Sequence, residues 1–199
     1  MSLSKKQAAR RQKPPRRFSA PENHAKGEES VKISLHLMKI EEKPLLARLM
    51  ELYEYEFSVY SDEDISEYGC YGYSHIDDYW NEEGRFPYLI RVDGKIAGFA
   101  LVCPHCDYRK EEGAQCVGEF FVMLKYRRMG VGLEAAAQLF DRHPGLWEVC
   151  WWNNNLPARS FWQKAVERYT GGHYEICGTE QEKQMGVTFQ NITRPDHRS

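Results

Sequence analysis

The sequence lacks a long hydrophobic run: no segment approaches the roughly 20 apolar residues that a membrane-spanning helix needs. Its first residues also lack the apolar core of a secretory signal. We therefore expect a cytoplasmic protein with no membrane partner. In that compartment the six cysteines are most simply interpreted as reduced thiols.

Basic residues outnumber acidic ones only at the beginning of the chain. Residues 1–30 carry eight Lys or Arg against three Asp or Glu, while the remainder carries 19 basic and 26 acidic residues. The polar, basic, proline-containing composition of residues 1–30 predicts a disordered tail, and residues 194–199 are interpreted as a second loose end. The acidic remainder suits a cationic small molecule better than a nucleic acid, so we expect no nucleic-acid partner.

Strand-like and helix-like patterns alternate over residues 31–193, which predicts one mixed α/β domain whose mostly antiparallel sheet is flanked by helices. One predicted helix has an apolar face formed by Leu45, Leu49, Leu52, Tyr53, Phe57 and Tyr60. Asp93-Gly94, between PYLIRV and KIAGFALV, predicts the two-residue turn of a hairpin. The apolar period of residues 157–169 predicts a late helix that Gly171-Gly172 ends.

The stretch EFFVMLKYRRMGVGLEAAAQLF, residues 119–140, begins like a buried strand and ends like an alanine-rich helix. A helix start offers unpaired N–H groups and the positive end of the helix dipole, which together bind anions. Gly130 and Gly132 would let a diphosphate approach the backbone, and Arg127 and Arg128 would add positive charge. Glycines that serve only helix packing are the alternative. The stretch matches neither the triphosphate loop nor the full dinucleotide fingerprint.

Two motifs in this chain are similar to those of one enzyme family. RRMGVG, residues 127–132, resembles the Q/R-x-x-G-x-G/A motif of the GNAT superfamily of N-acetyltransferases, and Tyr126 precedes it as is common there. NLPARSFWQK, residues 155–164, is similar to the N-x-x-A-x-x-F-Y-x-K segment of the same family. The order of predicted elements is also similar, so the resemblance covers about residues 33–192. It implies a GNAT-like fold and the use of acetyl-coenzyme A (acetyl-CoA).

The resemblance also implies where acetyl-CoA would bind. Backbone N–H groups of residues 128–132 would hold its diphosphate, and the strand edge at residues 121–123 would pair with its pantetheine arm. Asn155 and the helix that follows would border the other side of the arm. The implied cofactor-binding residues are Phe121, Val122, Met123, Arg127, Arg128, Met129, Gly130, Val131, Gly132, Asn155 and Trp162. No metal is expected.

Acetyl transfer to an amine requires a base, an oxyanion donor and a route for the leaving thiolate. Glu119 shares a strand face with Phe121 and Met123, and members of the family often place a catalytic glutamate in this strand, so Glu119 is the expected base. A glutamate that faces water or pairs with an arginine is the alternative. A strand-edge N–H near Met123 is the expected oxyanion donor. Many relatives protonate the thiolate with the tyrosine of the F-Y pair, and Trp162, which occupies that position here, cannot act as an acid.

Acidic and tyrosine side chains are concentrated where this family builds its acceptor pocket. They are Glu54, Glu56, Asp62, Glu63, Asp64, Asp77 and Asp78, with Tyr53, Tyr55, Tyr60, Tyr68, Tyr71 and Tyr73. Carboxylates beside aromatic faces suit a cationic amine, and a solvated acidic surface is the alternative. We therefore expect an N-acetyltransferase that acts on a primary amine, a cationic small molecule. A non-catalytic acyl-CoA sensor, a protein-lysine acetyltransferase and a homodimer stay open.

Cys103-Pro104-His105-Cys106 has the spacing of a redox motif or of half a zinc site. A thioredoxin-like pair opens a helix, whereas the polar stretch DYRKEEGAQ follows here. No second Cys or His pair completes a tetrahedral zinc site. We interpret the motif as part of a hairpin loop, with redox and metal roles as alternatives.

Overall fold

The structure, a computed structural model, describes residues 31–191. These residues form a domain around a mixed sheet of seven strands. The predicted tails, residues 1–30 and 194–199, lie outside the described residues. The strands are β1 (Ile33–Leu37), β2 (Phe86–Val92), β3 (Lys95–Cys103), β4 (Gln115–Val122), β5 (Gly145–Trp152), β6 (Glu175–Gly178) and β7 (Gln184–Asn191). The helices are α1 (Lys43–Phe57), α2 (Asp78–Asn81), α3 (Val131–Arg142) and α4 (Leu156–Thr170). Single 3₁₀ turns cover Ile40–Glu42 and Leu124–Tyr126.

The strand order is β1-β2-β3-β4-β5-β7-β6, and every neighbouring pair is antiparallel except β4 with β5. Strand alternation sends side chains to both faces of this sheet. Ile90 and Ala100 pack on the face covered by α3 and α4, whereas Leu89 and Phe99 pack on the face covered by α1 and α2. The predicted fold class, a mostly antiparallel sheet flanked by helices, is therefore confirmed.

Local sequence signals placed several element boundaries correctly. The hairpin turns at Asp93 and Gly94, where both residues adopt the positive φ that a tight hairpin turn requires (49° and 77°). Helix α4 ends at Thr170, and Gly171, with φ 66°, follows it as the C-cap residue. The predicted face of α1 was partly wrong, because Leu52 is 51% exposed and the helix ends at Phe57 rather than continuing to Tyr60.

Strands β4 and β5 pair only at their beginnings, through Gln115 with Trp147 and Cys116 with Glu148. Directly afterwards β4 contains a bulge: Leu101 pairs with Glu119 and Val102 with Val117, which leaves Gly118 without a partner on β3. A bulge bends its strand and increases the local twist. The two strands diverge beyond it, and the facing edges of their later residues do not pair with each other.

Within residues 31–191, every helix is too short or too polar to cross a membrane.

Candidate active site

A cleft of about 320 Å³ occupies the space where β4 and β5 diverge. Helix α1 contributes to one wall and helix α4 to the other. Its lining includes Tyr53, Glu54 and Phe57 of α1, Gly118, Glu119 and Phe120 of β4, Trp151 and Trp152 of β5, and Asn155, Ala158 and Trp162 at the start of α4. The cleft therefore brings β4 next to the start of α4, which carries the second sequence motif, whereas residues 127–132 do not contribute to its lining.

Glu119 lies half-buried in this cleft, on the strand residue that follows the bulge. Its Oε2 accepts a hydrogen bond from the Tyr53 hydroxyl at 2.6 Å, and the Tyr73 hydroxyl lies close enough to lower its pKa. Burial raises the pKa of Glu119 to about 7, against the opposing effect of the two tyrosines, and the nearby charge of Glu54 raises it further. A carboxyl group with this pKa is half-ionised near neutral pH, which suits a group that accepts and releases a proton.

Tyr53 positions Glu119 through a contact that sequence reasoning missed. Its ring packs edge-on against Phe99 and Phe121, so the hydroxyl is held at one place above β4. Burial and the Glu119 charge raise the pKa of Tyr53 well above its usual value, so Tyr53 stays a hydrogen-bond donor. The two residues are 66 positions apart in the chain, and no local pattern links them.

The structure narrows the candidates for the oxyanion donor near Met123. The Met123 N–H donates to the carbonyl oxygen of Ala97 at 2.8 Å, so it is already used by the pairing of β3 with β4. Because N–H directions alternate along a strand, the Val122 N–H points away from β3, toward the edge of β4 from which β5 diverges. The Met123 N–H itself is therefore not available, the neighbouring Val122 N–H is the candidate, and a donor near Met123 stays a prediction.

The junction between β4 and α3 adopts an unusual backbone. Arg128 and Gly130 both have positive φ, 62° and 81°, and helix α3 begins at Val131. Gly130 occupies the N-cap position and offers no side chain to cap the first turn. Its surroundings are open, since a Cβ built there would meet nothing within 4 Å. Uncapped N–H groups at the start of an α-helix, next to open space, are the kind of group that binds anions, and the predicted diphosphate site stays a prediction.

The two glycines of this junction serve different purposes. A Cβ on Gly132 would lie 2.9 Å from the Phe161 ring of α4, so this glycine allows α3 and α4 to pack closely. Gly130 instead supplies a left-handed backbone conformation that other residues adopt only with strain. Gly132 therefore serves helix packing, which was the alternative, while Gly130 serves a left-handed turn of the backbone. The approach of a diphosphate to Gly130 stays a prediction.

Arg127 does not add free positive charge to the junction, contrary to expectation. Its guanidinium pairs with the Glu56 carboxylate of α1 at 2.5 Å, and its Nε donates to the Val122 carbonyl oxygen at 2.5 Å. Arg127 therefore ties the junction to α1. Arg128 and Met129 are exposed, while the Val131 side chain is buried in the core and only its backbone belongs to the junction.

Comparison with known protein families shows which family the chain belongs to. The model of the acetyltransferase (GNAT) family matches residues 46–166, more than half of the chain. The chain belongs to the GNAT family. The family resemblance seen in the two sequence motifs is thereby confirmed.

Solved GNAT structures share the fold at low sequence identity. An acetyltransferase from Thermus thermophilus superposes with TM-score 0.60 and 13% identity, covering 79% of this chain and 96% of that one. A GNAT acetyltransferase from Staphylococcus aureus gives TM-score 0.52 and 12% identity, covering 80% and 99%. A ribosomal-protein-alanine N-acetyltransferase from Brucella melitensis gives 0.51 and 14%, covering 80% and 99%. No curated protein matches the sequence. Identities this low establish the fold alone.

On the α4 side of the GNAT cleft, Asn155 and Trp162 have structural contacts of their own. The Asn155 side chain accepts a hydrogen bond from the Ala158 N–H at 3.1 Å and so caps α4. Trp162 is buried and packs edge-on against Phe120 and Phe161, with ring centroids 5.0 and 4.8 Å away. Both residues also line the cleft, so the structure keeps them as candidates for contact with acetyl-CoA.

Trp151 is a cleft residue that the sequence motifs do not single out. It is 4% exposed, and its indole Nε1 is buried without a hydrogen-bond partner among the described residues. Leaving a buried donor unpaired costs about 1–3 kcal/mol, so such groups are uncommon in folded proteins. An unpaired donor on a residue that lines a cleft is a candidate contact for a ligand.

The acidic residues expected around the acceptor divide into three groups in this GNAT structure. Glu54 lines the cleft, and burial together with the charges of Glu63 and Glu51 raises its pKa to about 7. Glu56, Asp77 and Asp78 form ion pairs with Arg127, Lys43 and Arg85, respectively. Asp62, Glu63 and Asp64 are exposed and do not contribute to the lining of the cleft.

Glu148 of β5 organises the loop that contains the Cys103–Cys106 motif. It is 1% exposed and accepts hydrogen bonds from the backbone N–H groups of Asp107, Tyr108 and Arg109 at 2.6, 2.9 and 2.7 Å. Cys103 is the last residue of β3, and the rest of the motif begins the loop between β3 and β4, as the sequence predicts, without opening a helix. Asp107, Glu148 and Cys150 place their ligand atoms within 4.8 Å of one another. Because both Glu148 oxygens already accept backbone hydrogen bonds, we assign no metal to this group.

Proposed function

We propose that this protein is an N-acetyltransferase that moves an acetyl group from acetyl-CoA to a primary amine by direct attack, without a covalent enzyme intermediate. The observation that carries the proposal is the position of Glu119, whose pKa is raised to about 7, in the cleft between the diverging strands β4 and β5. The family supports the acetyl transfer, and the cleft supports the choice of base.

The chemistry begins with removal of a proton from the acceptor. An alkylamine has a pKa near ~10.4 and is mostly protonated at neutral pH, so it cannot attack until a base takes that proton. The Glu119 carboxylate is the proposed base, acting directly or through a water molecule. Tyr53 holds the carboxylate by its Oε2 at 2.6 Å, which fixes the direction from which the amine approaches.

Residues of the cleft and the junction would hold acetyl-CoA, which supplies the acetyl group as an activated thioester. The backbone N–H groups of residues 128–132 would bind its diphosphate. The Val122 N–H and the Trp151 indole N–H would donate to carbonyl oxygens of its acylated arm. The new carbon–nitrogen bond replaces the carbon–sulfur bond, and the thiol leaves.

The acceptor is proposed to be a cationic small molecule. Glu54 and Glu119 supply two carboxyl groups to the cleft, and Tyr53, Phe57 and Trp152 supply aromatic faces beside them. A protonated amine is attracted both to carboxylates and to aromatic faces. Nucleic acid does not suit this lining, because its phosphates would meet the same carboxylates.

We also propose a cytoplasmic location. All six cysteines are free in the structure, including a pair whose sulfur atoms are in contact. Free thiols in such proximity suit a reducing compartment.

A non-catalytic acyl-CoA sensor is the second candidate, and Trp162 favours it. The indole at this position has no acidic proton to give to a leaving thiolate. In the catalytic proposal the thiolate leaves without an enzyme acid, or takes its proton from a water molecule.

The deciding experiment measures release of free thiol from acetyl-CoA with a panel of polyamines, aminoglycosides and amino-acid amines. The proposal expects turnover with at least one cationic amine. A sensor would bind acetyl-CoA in isothermal titration calorimetry and release no thiol with any acceptor. A protein that neither binds acetyl-CoA nor releases thiol would contradict both candidates.

Trp151→Phe tests the proposed indole contact. The phenyl ring retains most of the apolar volume but removes the N–H, so we expect the dissociation constant of acetyl-CoA to rise about five- to tenfold, the equivalent of one hydrogen bond. Isothermal titration calorimetry gives the constant. Trp147→Phe is the matched control on the same strand, because the Trp147 indole already donates to the His143 carbonyl oxygen at 2.8 Å. That control should lower the melting temperature and leave binding unchanged, and equal binding losses in both variants would contradict the contact.

A further inference from the structure

Two cysteines face each other across the β3–β4 pair at the base of the cleft. Cys103 and Cys116 are direct partners in the strand register, and their sulfur atoms are 3.2 Å apart. Opposed residues of antiparallel strands have Cα atoms about 4.5 or 5.5 Å apart, and both values fall within the range that a disulfide spans. A bond would require the sulfurs to approach by only about 1 Å, since a disulfide is ~2.05 Å long.

The surroundings of this pair distinguish it from ordinary buried cysteines. Cys103 and Cys116 are 7% and 8% exposed, and both line the cleft, so a molecule of the size of hydrogen peroxide has a route to them. The hydrogen bond from Cys116, together with the positive charge of Arg85, lowers the pKa of the Cys103 thiol. The same hydrogen bond and burial raise the pKa of Cys116. Cys103 therefore loses its proton more easily and is the better nucleophile, whereas Cys116 keeps its proton.

We propose that Cys103 and Cys116 form a reversible, peroxide-sensitive thiol pair that closes to a cross-strand disulfide. The Cys103 thiolate attacks one peroxide oxygen, the oxygen–oxygen bond breaks, and the departing hydroxide takes a proton and leaves as water. The Cys116 sulfur then attacks the resulting sulfenic acid, forming the sulfur–sulfur bond and releasing a second water with the proton of its thiol. Two thiols are oxidised and one peroxide is reduced, with no other reactant.

The location gives this reaction a consequence for the cleft. A Cβ on Gly118 would lie 3.4 Å from the Cys103 sulfur, so the pair adjoins the bulge that precedes Glu119. A disulfide at this point would fix the register of the strand that presents the proposed base. The proposal does not depend on the acetyltransferase activity, and its test uses covalent chemistry as the readout.

The experiment treats the full-length native protein with limiting hydrogen peroxide and blocks the remaining thiols with iodoacetamide in denaturant. We expect the loss of two thiols per chain, recovery of both with dithiothreitol, and one cross-linked pair of tryptic peptides. Cys103 and Cys106 fall on the same tryptic peptide, between Lys95 and Arg109, and Cys116 lies on another. Tandem fragmentation of the cross-linked pair, or the Cys106→Ser variant, then identifies the sulfur that is bonded.

Three variants make the assignment specific. Cys103→Ser should slow the loss of thiols about tenfold or more, because the better nucleophile is gone. Cys116→Ser should accumulate a sulfenic acid on Cys103 that dimedone traps, since the resolving thiol is missing. Cys106→Ser should still form the bridge, although Cys106 packs in the same cluster. A disulfide between Cys106 and Cys116 would overturn the proposal, and so would a wild-type protein in which peroxide oxidises only residues other than Cys103 and Cys116. Peptide mapping of the wild-type protein detects both results.

Discussion

Glu119→Gln is expected to lower kcat for amine acetylation about 10²- to 10⁴-fold while the dissociation constant of acetyl-CoA stays unchanged. The amide has nearly the shape of the carboxyl group, and its oxygen can still accept the hydrogen bond from Tyr53. It cannot take a proton from the attacking amine, so only the chemical step is affected. Thiol release with the best acceptor gives kcat, and titration calorimetry gives the binding constant.

The pH dependence provides a second signature of the same residue. Only the carboxylate form of Glu119 accepts a proton, so kcat/KM for the amine should rise with pH through about 7, the pKa to which burial raises this group. Glu119→Gln should remove that rising limb. A variant that keeps both the limb and its activity would assign the base to another residue.

Glu54→Gln is the matched control, because Glu54 lies in the same cleft and its pKa is also raised to about 7. We propose that it attracts the cationic acceptor without exchanging a proton with it. Its loss should raise KM for the amine severalfold and change kcat little. If Glu54→Gln instead abolished the rising limb, the roles of the two carboxyl groups would be reversed.

Burial of Glu119 also makes the stability of the folded protein depend on pH. The group has a pKa of about 4.3 when unfolded and of about 7 when folded, so the folded state holds its proton more tightly. Its contribution to stability is therefore fully present below the unfolded pKa and is lost as pH rises through the folded pKa. Glu119→Gln removes this loss. The melting temperature of the variant should be close to that of wild type at about pH 4.5 and higher than that of wild type at about pH 8.5. The same difference in melting temperature at both pH values would show that Glu119 does not titrate between them.

Much of the fold follows from local sequence, because turns and amphipathic helices depend on neighbouring residues. Asp93-Gly94 forms the hairpin turn because both positions need positive φ, and Asn155 caps α4 through a residue three positions away. The RRMGVG junction is also local. Its left-handed Gly130 follows from the need to turn from a strand into a helix within a few residues.

The details of the site depend on contacts that no local pattern contains. Arg127 reaches Glu56, 71 positions away, and this pairing turns an expected phosphate contact into a link with α1. Tyr53 meets Glu119 only because α1 lies across β4. The bulge at Gly118 shifts the register by one residue and so helps to set which side chains enter the cleft. The residue types were visible in the sequence, and their partners were decided by packing.

Gly130→Val is the second substitution for which we expect a large effect, a loss of acetyl-CoA affinity of about tenfold or more, equivalent to at least ~1.4 kcal/mol. Gly130 has φ 81°, where a β-branched residue is strained, and no neighbouring atom would collide with its Cβ. The strain is therefore relieved by a change of backbone angle. That change redirects the N–H groups of the following turn, which we propose bind the diphosphate.

Two variants separate this backbone effect from general damage. Gly130→Asn should bind acetyl-CoA nearly as well as wild type, because asparagine tolerates the left-handed region far better than valine does. Gly132→Ala should mainly lower the melting temperature, since its Cβ would press on the Phe161 ring 2.9 Å away rather than alter the φ of Gly130. Calorimetric titration and thermal melts of all three variants test the distinction. Equal affinity in Gly130→Val and Gly130→Asn, with both folded, would mean that the diphosphate is bound somewhere other than the start of α3.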